Sequence, residues 1–370
     1  MKYYLIAGEA SGDLHASNLM NELKKRDANA TFRCWGGDLM KASGGDVVKH
    51  YRDLAFMGFA EVLLNLRTIL GNLKFCRNDI RNYHPDAIIL VDYPGFNLRI
   101  AEFAHCEGYR VFYYISPQIW AWKQSRVKKI KAFVDKMFVI LPFEKEFYEK
   151  HNYAVEFVGH PLLDAIESTK AQHIPTTLTQ KLQQDKPVIA LLPGSRKQEV
   201  SKMLKTMLQV VPNFPDYQFV VAGVHSIGEE FYKKICDGYD VKIVFNATYP
   251  LLQSAFAALV TSGTATLETA LFGVPEVVCY RANSISYQIA RKVIKVKYIS
   301  LVNLIMDFPV VQELIQHILN RENLTFALQK ISEPEIRKKI SENYSKLYQR
   351  LGGTGASART AELIFKQMST

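Results

Sequence analysis

Short apolar runs alternate with amphipathic stretches from one end of the chain to the other, and this alternation limits its possible folds more than any other feature. Strand candidates fall at 3–7, 31–35, 87–91 (AIILV), 110–115 (RVFYYI), 137–140 and 155–158. They resume at 187–192, 217–222 (YQFVVA), 241–245, 257–260 and 276–280. Strands separated by helical segments pair in parallel, because a parallel neighbour can only be reached through a long crossover. The pattern predicts an α/β protein of two successive Rossmann-like halves, residues 1–165 and 187–345, joined by a polar linker at 166–186. The remaining stretch, 346–370, is helical in pattern around a break at Gly352-Gly353-Thr354-Gly355, and is expected to pack back on the first half. At 370 residues the chain is long enough for two such domains. In open parallel sheets ligands sit beyond the carboxyl ends of the strands. Two halves facing one another would line a central cleft with those loops.

Two loops of the second half share one design. VIALLPGSRKQEV (188–200) and AALVTSGTATLETALFG (257–273) each run from an apolar strand into a turn of small residues, then open a helix. Small residues let backbone N–H groups approach phosphate oxygens, and a helix N-terminus adds roughly half a positive charge. Gly194 and Ser195 with the Arg196 guanidinium would make one anion seat, and Ser262, Gly263, Thr264, Ala265 and Thr266 the other. Together they suggest a nucleoside diphosphate. Glu268 would be repelled by phosphate and suits ribose hydroxyls, or it is a first-turn carboxylate favoured by the helix dipole.

In the first half, GEASGDLH follows the first strand without the spacing of a dinucleotide fingerprint or the lysine of an ATPase loop. Glu9 and Asp13 would offer acceptors to sugar hydroxyls, or Ser11 or Asp13 caps the helix. Asp92 ends the AIILV strand and is followed by Tyr93-Pro94-Gly95-Phe96-Asn97. Such a carboxylate is placed either to act as a general base, its pKa raised by partial burial, or to cap the next helix. The loop Ser116-Pro117-Gln118-Ile119-Trp120-Ala121-Trp122 holds two of the three tryptophans, which form a sugar-stacking wall or pack under a lid.

Residues 56–77 set Phe59, Val62, Leu63, Leu66, Ile69, Leu70 and Leu73 on one helical face, as a core-facing helix does. Phe56, Met57, Leu64 and Phe75 extend apolar surface beyond that stripe, and Arg67, Lys74 and Arg77 lie among them. A lipid-facing surface is the competing reading. The basic run from Lys123 to Lys136 reads as a solvated face or a contact with anionic headgroups.

The totals exclude several classes. With 48% hydrophobic and 22% charged residues the chain is globular. Its net charge of +10 fits nucleic acid, anionic lipid or a phosphorylated metabolite, but no nucleic-acid motif accompanies it. Five scattered cysteines without CxxC spacing argue against disulfides and zinc, and the nine histidines form no HExxH pair. No metal site or cofactor is expected. No apolar run approaches the ~20 residues of a membrane span, so a cytoplasmic protein is expected, soluble or peripheral.

These loops in sequence resemble the lipid-A-disaccharide synthases, a GT-B family of glycosyltransferases. The resemblance is carried by GEASGD (8–13), the DxPxFN loop (92–97), SPQIWAW (116–122), LPFEKEFY (141–148), VGHP (158–161), LLPGSRKQEV (191–200), SGTATLE (262–268) and YISLVNL (298–304). It implies inverting, metal-free transfer of 2,3-diacylglucosamine from its UDP donor to 2,3-diacylglucosamine 1-phosphate, giving the β-1,6 disaccharide and UDP, at the inner face of the inner membrane. It assigns Asp92 as base, Glu9, Ser11, Asp13, Gln118 and Trp120 to the acceptor, and the two small-residue turns with Glu268, Asn303 and Gln312 to the UDP donor. Where the family usually has a Gly-Arg pair after YISLVNL, this chain has Met306-Asp307-Phe308-Pro309, which removes a potential diphosphate contact. A non-hydrolysing UDP-sugar 2-epimerase of the same fold is the alternative. It would need no apolar basic surface.

Overall fold

The computed structural model describes residues 1–54, 66–122, 124–170, 174–175, 178, 182, 185–283 and 296–369. The chain divides into two compact units, 1–161 with 351–370, and 162–350. In the first unit a seven-stranded sheet has the order β3-β2-β1-β4-β5-β6-β7. These strands are β1 Lys2–Ala7, β2 Thr31–Gly36, β3 Asp46–His50, β4 Ala87–Val91, β5 Arg110–Tyr114, β6 Lys136–Val139 and β7 Glu156–Phe157. The second unit holds a six-stranded sheet, β10-β9-β8-β11-β12-β13. Its members are β8 Val188–Leu192, β9 Gln218–Gly223, β10 Val241–Phe245, β11 Ala255–Thr261, β12 Glu276–Tyr280 and β13 Gln312–Ile315. All strand pairs among the described residues are parallel.

The central strands β4 and β8 are buried along their whole length, and β1, β5 and β11 everywhere but at their first one or two residues, as parallel strands covered on both faces must be. Two edge strands, β3 and β13, have no apolar signature: DVVKH and QELI each keep at least one residue exposed and most of the rest half-buried. An edge strand is covered less and so needs less apolar sequence.

Helix α1 (Ala10–Arg26) follows β1, the short α2 (Asp38–Ala42) follows β2, and α3 (Leu66–Tyr83) precedes β4; α4 to α11 are, in chain order, Pro94–Cys106, Val127–Phe133, Pro142–Glu149, Leu162–Lys170, Lys197–Leu208, Glu229–Cys236, Thr248–Ser254 and Thr264–Leu271. One buried polar network fixes α3 against the sheet. Asp79 accepts from Tyr4 Oη at 2.7 Å and from Arg33 Nε at 2.8 Å and Nη2 at 2.6 Å, while Trp35 Nε1 donates to Tyr4 Oη at 2.8 Å. A carboxylate with partners on two neighbouring strands sets the rotation of its helix. Leu73, Cys76 and Ile80 consequently point into the core. Leu70, expected on the core face, is instead 55% exposed, and Phe75 is 48% exposed.

The expected linker at 166–186 begins inside α7 (Leu162–Lys170), which belongs to the second unit and buries Leu162, Leu163 and Ile166 there. After the long helix Pro334–Arg350 the chain returns to the first unit, and its last helix, Ala356–Ser369, packs on α1. The return is held by one guanidinium. Arg359 Nε donates to the Val158 carbonyl at 2.8 Å, Nη1 to that of Thr354 at 2.6 Å, and Nη2 to those of Gly352 and Gly353, both at 3.3 Å. Gly159, at φ +83°, lies beneath it, and a side chain there would begin 2.5 Å from Nη2. The VGHP motif is thus a seam, with His160 N–H donating to the Leu351 carbonyl at 3.0 Å. Arg359→Ala is expected to lower stability by about 2–3 kcal/mol through these stranded carbonyls, which a urea unfolding curve measures directly.

Candidate functional site

In a doubly wound sheet the crevice opens where strand order reverses, beyond the carboxyl ends of the two strands that part there. The first sheet reverses between β1 and β4, and Ala7 pairs with Val91 at their ends, so Gly8-Glu9 and Asp92-Tyr93 emerge side by side. The second reverses between β8 and β11, where Leu192 pairs with Val260, bringing Gly194–Arg196 beside Ser262–Ala265.

Asp92 and Tyr93 are consecutive left-handed residues at φ 45° and 49°. Side chains resist this conformation, and it persists where surrounding bonds impose it. The Asp92 carbonyl accepts from Asn97 Nδ2 at 2.8 Å and Tyr113 Oη at 2.5 Å, and the Asp92 N–H donates to the Tyr114 carbonyl at 3.2 Å. Asn97, fully buried at the start of α4 (Pro94–Cys106), is the pin of this bend. The Tyr93 ring packs over Gly8, where a side chain would begin 2.3 Å from the ring. Asp92 does not cap the helix that follows: Tyr93 stands at the N-cap of α4, which has no side-chain cap. Burial pushes its pKa up to about 6, and the nearby Glu9 carboxylate adds to the shift. A carboxylate with that affinity is ionised near neutral pH and still takes a proton from a hydroxyl as its oxygen attacks.

The other first-unit residues divide. Glu9 and Ser11 are exposed at the head of α1. Asp13 is not available to a sugar: it is buried, and its oxygens accept from Gly37 N–H at 2.7 Å, Leu39 N–H at 3.1 Å and Met40 N–H at 3.1 Å. It holds the N-terminus of α2, a role its place in GEASGD does not disclose. Gln118 is exposed, whereas Trp120 is half-buried and meets the Phe143 ring edge-on at 4.9 Å. Beneath this loop Ser116 Oγ and Tyr148 Oη lie 2.8 Å apart, and Glu144 is buried with its pKa raised to about 7 by desolvation. Of the apolar surface residues, Phe56, Met57 and Leu64 lie outside the described residues; Arg67 is exposed on α3 with Leu70 and Phe75.

The second unit holds a cavity of about 330 Å³ between its two turns. Gly194, Ser195, Arg196 and Glu199 line one side; Thr261, Ser262, Gly263, Thr264, Ala265 and Glu268 line the other. Gly194, at φ +108°, gives the first turn its sharpness, and Arg196 stands exposed at the head of α8 (Lys197–Leu208) with no ion-pair partner among the described residues. Glu268, on α11 (Thr264–Leu271), accepts from Tyr249 Oη at 3.2 Å, and burial raises its pKa. Ser262 Oγ is tied to the Ile299 carbonyl at 2.9 Å.

Three expected donor contacts fall elsewhere. Thr266 is fully buried with Oγ1 on the Gly263 carbonyl at 2.9 Å, so it caps the turn from inside. Asn303 is buried, and its amide is used up: Nδ2 donates to the Val311 carbonyl and to Glu313 Oε1, both at 2.9 Å, and Oδ1 accepts from Val310 and Val311 N–H. Gln312 opens β13, at the amino end of the sheet, away from the cavity. At the departure after YISLVNL, Asp307 ends its helix in the left-handed conformation at φ 59° and pairs with exposed Lys297 at 3.0 Å. Thr261 was missed. Its hydroxyl is buried in the cavity wall without a partner among the described residues, and a polar residue closing an apolar strand was its one sequence signal.

Two parallel-sheet units, each with one reversal of strand order, make the GT-B architecture. Among solved structures, the UDP-GlcNAc 2-epimerase from Neisseria meningitidis bound to UDP-GlcNAc superposes with a TM-score of 0.69 at 14% identity, covering 99% of this chain and 100% of that one. The glycotransferase of kitacinnamycin gives 0.68 at 14% identity, with 99% of each covered. Those likenesses establish the fold alone. The family profile described as "Lipid-A-disaccharide synthetase" matches residues 3–367. The lipid-A-disaccharide synthase of Syntrophus aciditrophicus is 40% identical over 365 residues, 96% of this chain and 95% of the relative. The chain belongs to the lipid-A-disaccharide synthase family. It is a glycosyltransferase acting on a UDP-sugar donor and a sugar-phosphate acceptor.

The pKa of Asp92 makes a prediction about rate. Activity that needs the ionised carboxylate rises with pH through about 6 and then levels. Glu9→Gln removes the repulsion that helps hold the proton on Asp92, so the same limb moves to lower pH in a kcat/KM profile.

Proposed function

We propose that Asp92 is the general base of an inverting transfer that needs no metal. The acceptor is 2,3-diacylglucosamine 1-phosphate, whose 6-hydroxyl gives its proton to the carboxylate as its oxygen attacks the anomeric carbon of UDP-2,3-diacylglucosamine. The bond from that carbon to the β-phosphate oxygen breaks, its electron pair leaves with UDP, and the new β-1,6 bond lies on the opposite face of the sugar. The leaving charge falls to the Arg196 guanidinium and to the N–H groups of the turns at Gly194–Ser195 and Ser262–Ala265, with Glu268 on the ribose. Glu9 and Ser11 border the acceptor, with Gln118 and Trp120 on its far wall.

The observation that carries this reading is the left-handed bend at the end of β4, which holds Asp92 near Glu9 with its pKa raised to about 6 and without capping α4. Asp92→Asn is expected to lower kcat for disaccharide formation by about 10²–10⁴-fold while UDP affinity holds. Arg196→Ala is expected to raise the donor KM by roughly 10–100-fold, the scale of one lost charge-assisted contact. Interconversion of UDP-sugars by the wild type without disaccharide would replace the transfer with the epimerase reading.

The same reading places the protein peripherally on the inner face of the inner membrane, where diacylated substrates reside. Among the described residues no helix is long and apolar enough to cross a membrane. The exposed Leu70 one turn from exposed Arg67 on α3, with the half-exposed Phe75 further along the helix, suits an interfacial contact instead, since apolar side chains enter the headgroup boundary and cations meet anionic lipid. Replacing Leu70 by Ser and Arg67 by Glu together is expected to release the protein from anionic vesicles in a sedimentation assay without changing its thermal unfolding, since both side chains are exposed.

A further inference from the structure

The seat at Gly194–Arg196 is already occupied by a side chain of the protein itself. Glu199 lies in the first turn of α8 and curls back over the loop before it. Ser195 N–H donates to Glu199 Oε2 at 3.2 Å. A Cβ at Gly194 would lie 2.1 Å from that oxygen and 2.5 Å from Cδ, so the carboxylate rests directly on the glycine floor. Both residues line the cavity. A carboxylate oxygen there offers what a phosphate oxygen offers, a negative acceptor facing a backbone N–H at a helix N-terminus.

We infer that Glu199 is an internal substitute for the diphosphate, displaced when the donor enters and returning to the seat as UDP leaves. The inference rests on the cavity being the UDP site. Two negative acceptors cannot share the Ser195 N–H, and like charges at this range repel. The donor therefore binds against a standing competitor. After transfer the same carboxylate lowers the affinity for UDP and keeps the empty loop satisfied, so the seat does not collapse between turnovers. A residue that only capped α8 would do the reverse: it would build the seat, and its loss would weaken binding.

The test is UDP titration by calorimetry, with product inhibition measured alongside, for the full-length protein and for Glu199→Gln and Glu199→Ala. Gln keeps an acceptor for the Ser195 N–H without the charge. UDP is expected to bind Glu199→Gln about three- to fivefold more tightly, the scale of one partly exposed charge contact. The inhibition constant should fall in parallel. Tighter binding by Glu199→Ala supports displacement as well, since that variant removes the competitor altogether. Equal or weaker UDP binding by Glu199→Gln, in a protein whose unfolding midpoint is unchanged, overturns the inference while leaving the UDP site intact. Failure of the parent protein to bind UDP overturns both.

Discussion

Parallel strand pairing is the constraint on which everything else in this protein depends. Parallel neighbours require crossovers, crossovers cover both faces of the sheet, and a strand buried on both faces can meet solvent chemistry only at its ends. In each unit the strand order reverses once, at β1/β4 and at β8/β11, and the crossovers on either side diverge to leave a crevice. The candidate base and the phosphate-seat turns lie at these two reversals. Neither chemistry had to be designed into the fold. The fold supplies the place, and four loops supply the residues.

The two places are built differently. In the first unit a carboxylate is held by strain and burial: Asn97 and Tyr113 hold the Asp92 carbonyl, the backbone is forced left-handed, and the carboxylate is kept where ionisation is less favourable. The second is built by absence. Gly194 and the small residues at 262–265 leave the backbone open to the cavity, and Arg196, the one cation lining it among the described residues, stands exposed at the head of α8. Glu199 fills the space that this absence creates.

Much of this was legible in the chain. The apolar runs identified the central strands, because full burial demands continuous apolar sequence. The edge strands β3 and β13 left no such trace. Asp92 and the small-residue turns stood out because polar or tiny residues directly after a buried strand have few structural uses. Asp13, Thr266 and Asn303 looked equivalent to them. Each carries a polar side chain in a loop-like motif, yet each spends it on backbone N–H or carbonyl groups of its own unit. A sequence records a residue's bonding capacity, not where that capacity is directed.

The amino-acid order alone determined the parallel α/β architecture and the family, since these depend on local periodicity and on short motifs. Only the tertiary structure decided which polar side chains remain available to a ligand. Whether Asp13 caps α2 or meets a sugar depends on the position of Gly37, twenty-four residues away. Whether Asp92 caps a helix or is held half-buried in the bend before it depends on a tyrosine from the neighbouring strand. Such partners are brought together by packing between elements far apart in sequence, and no local pattern encodes their distance.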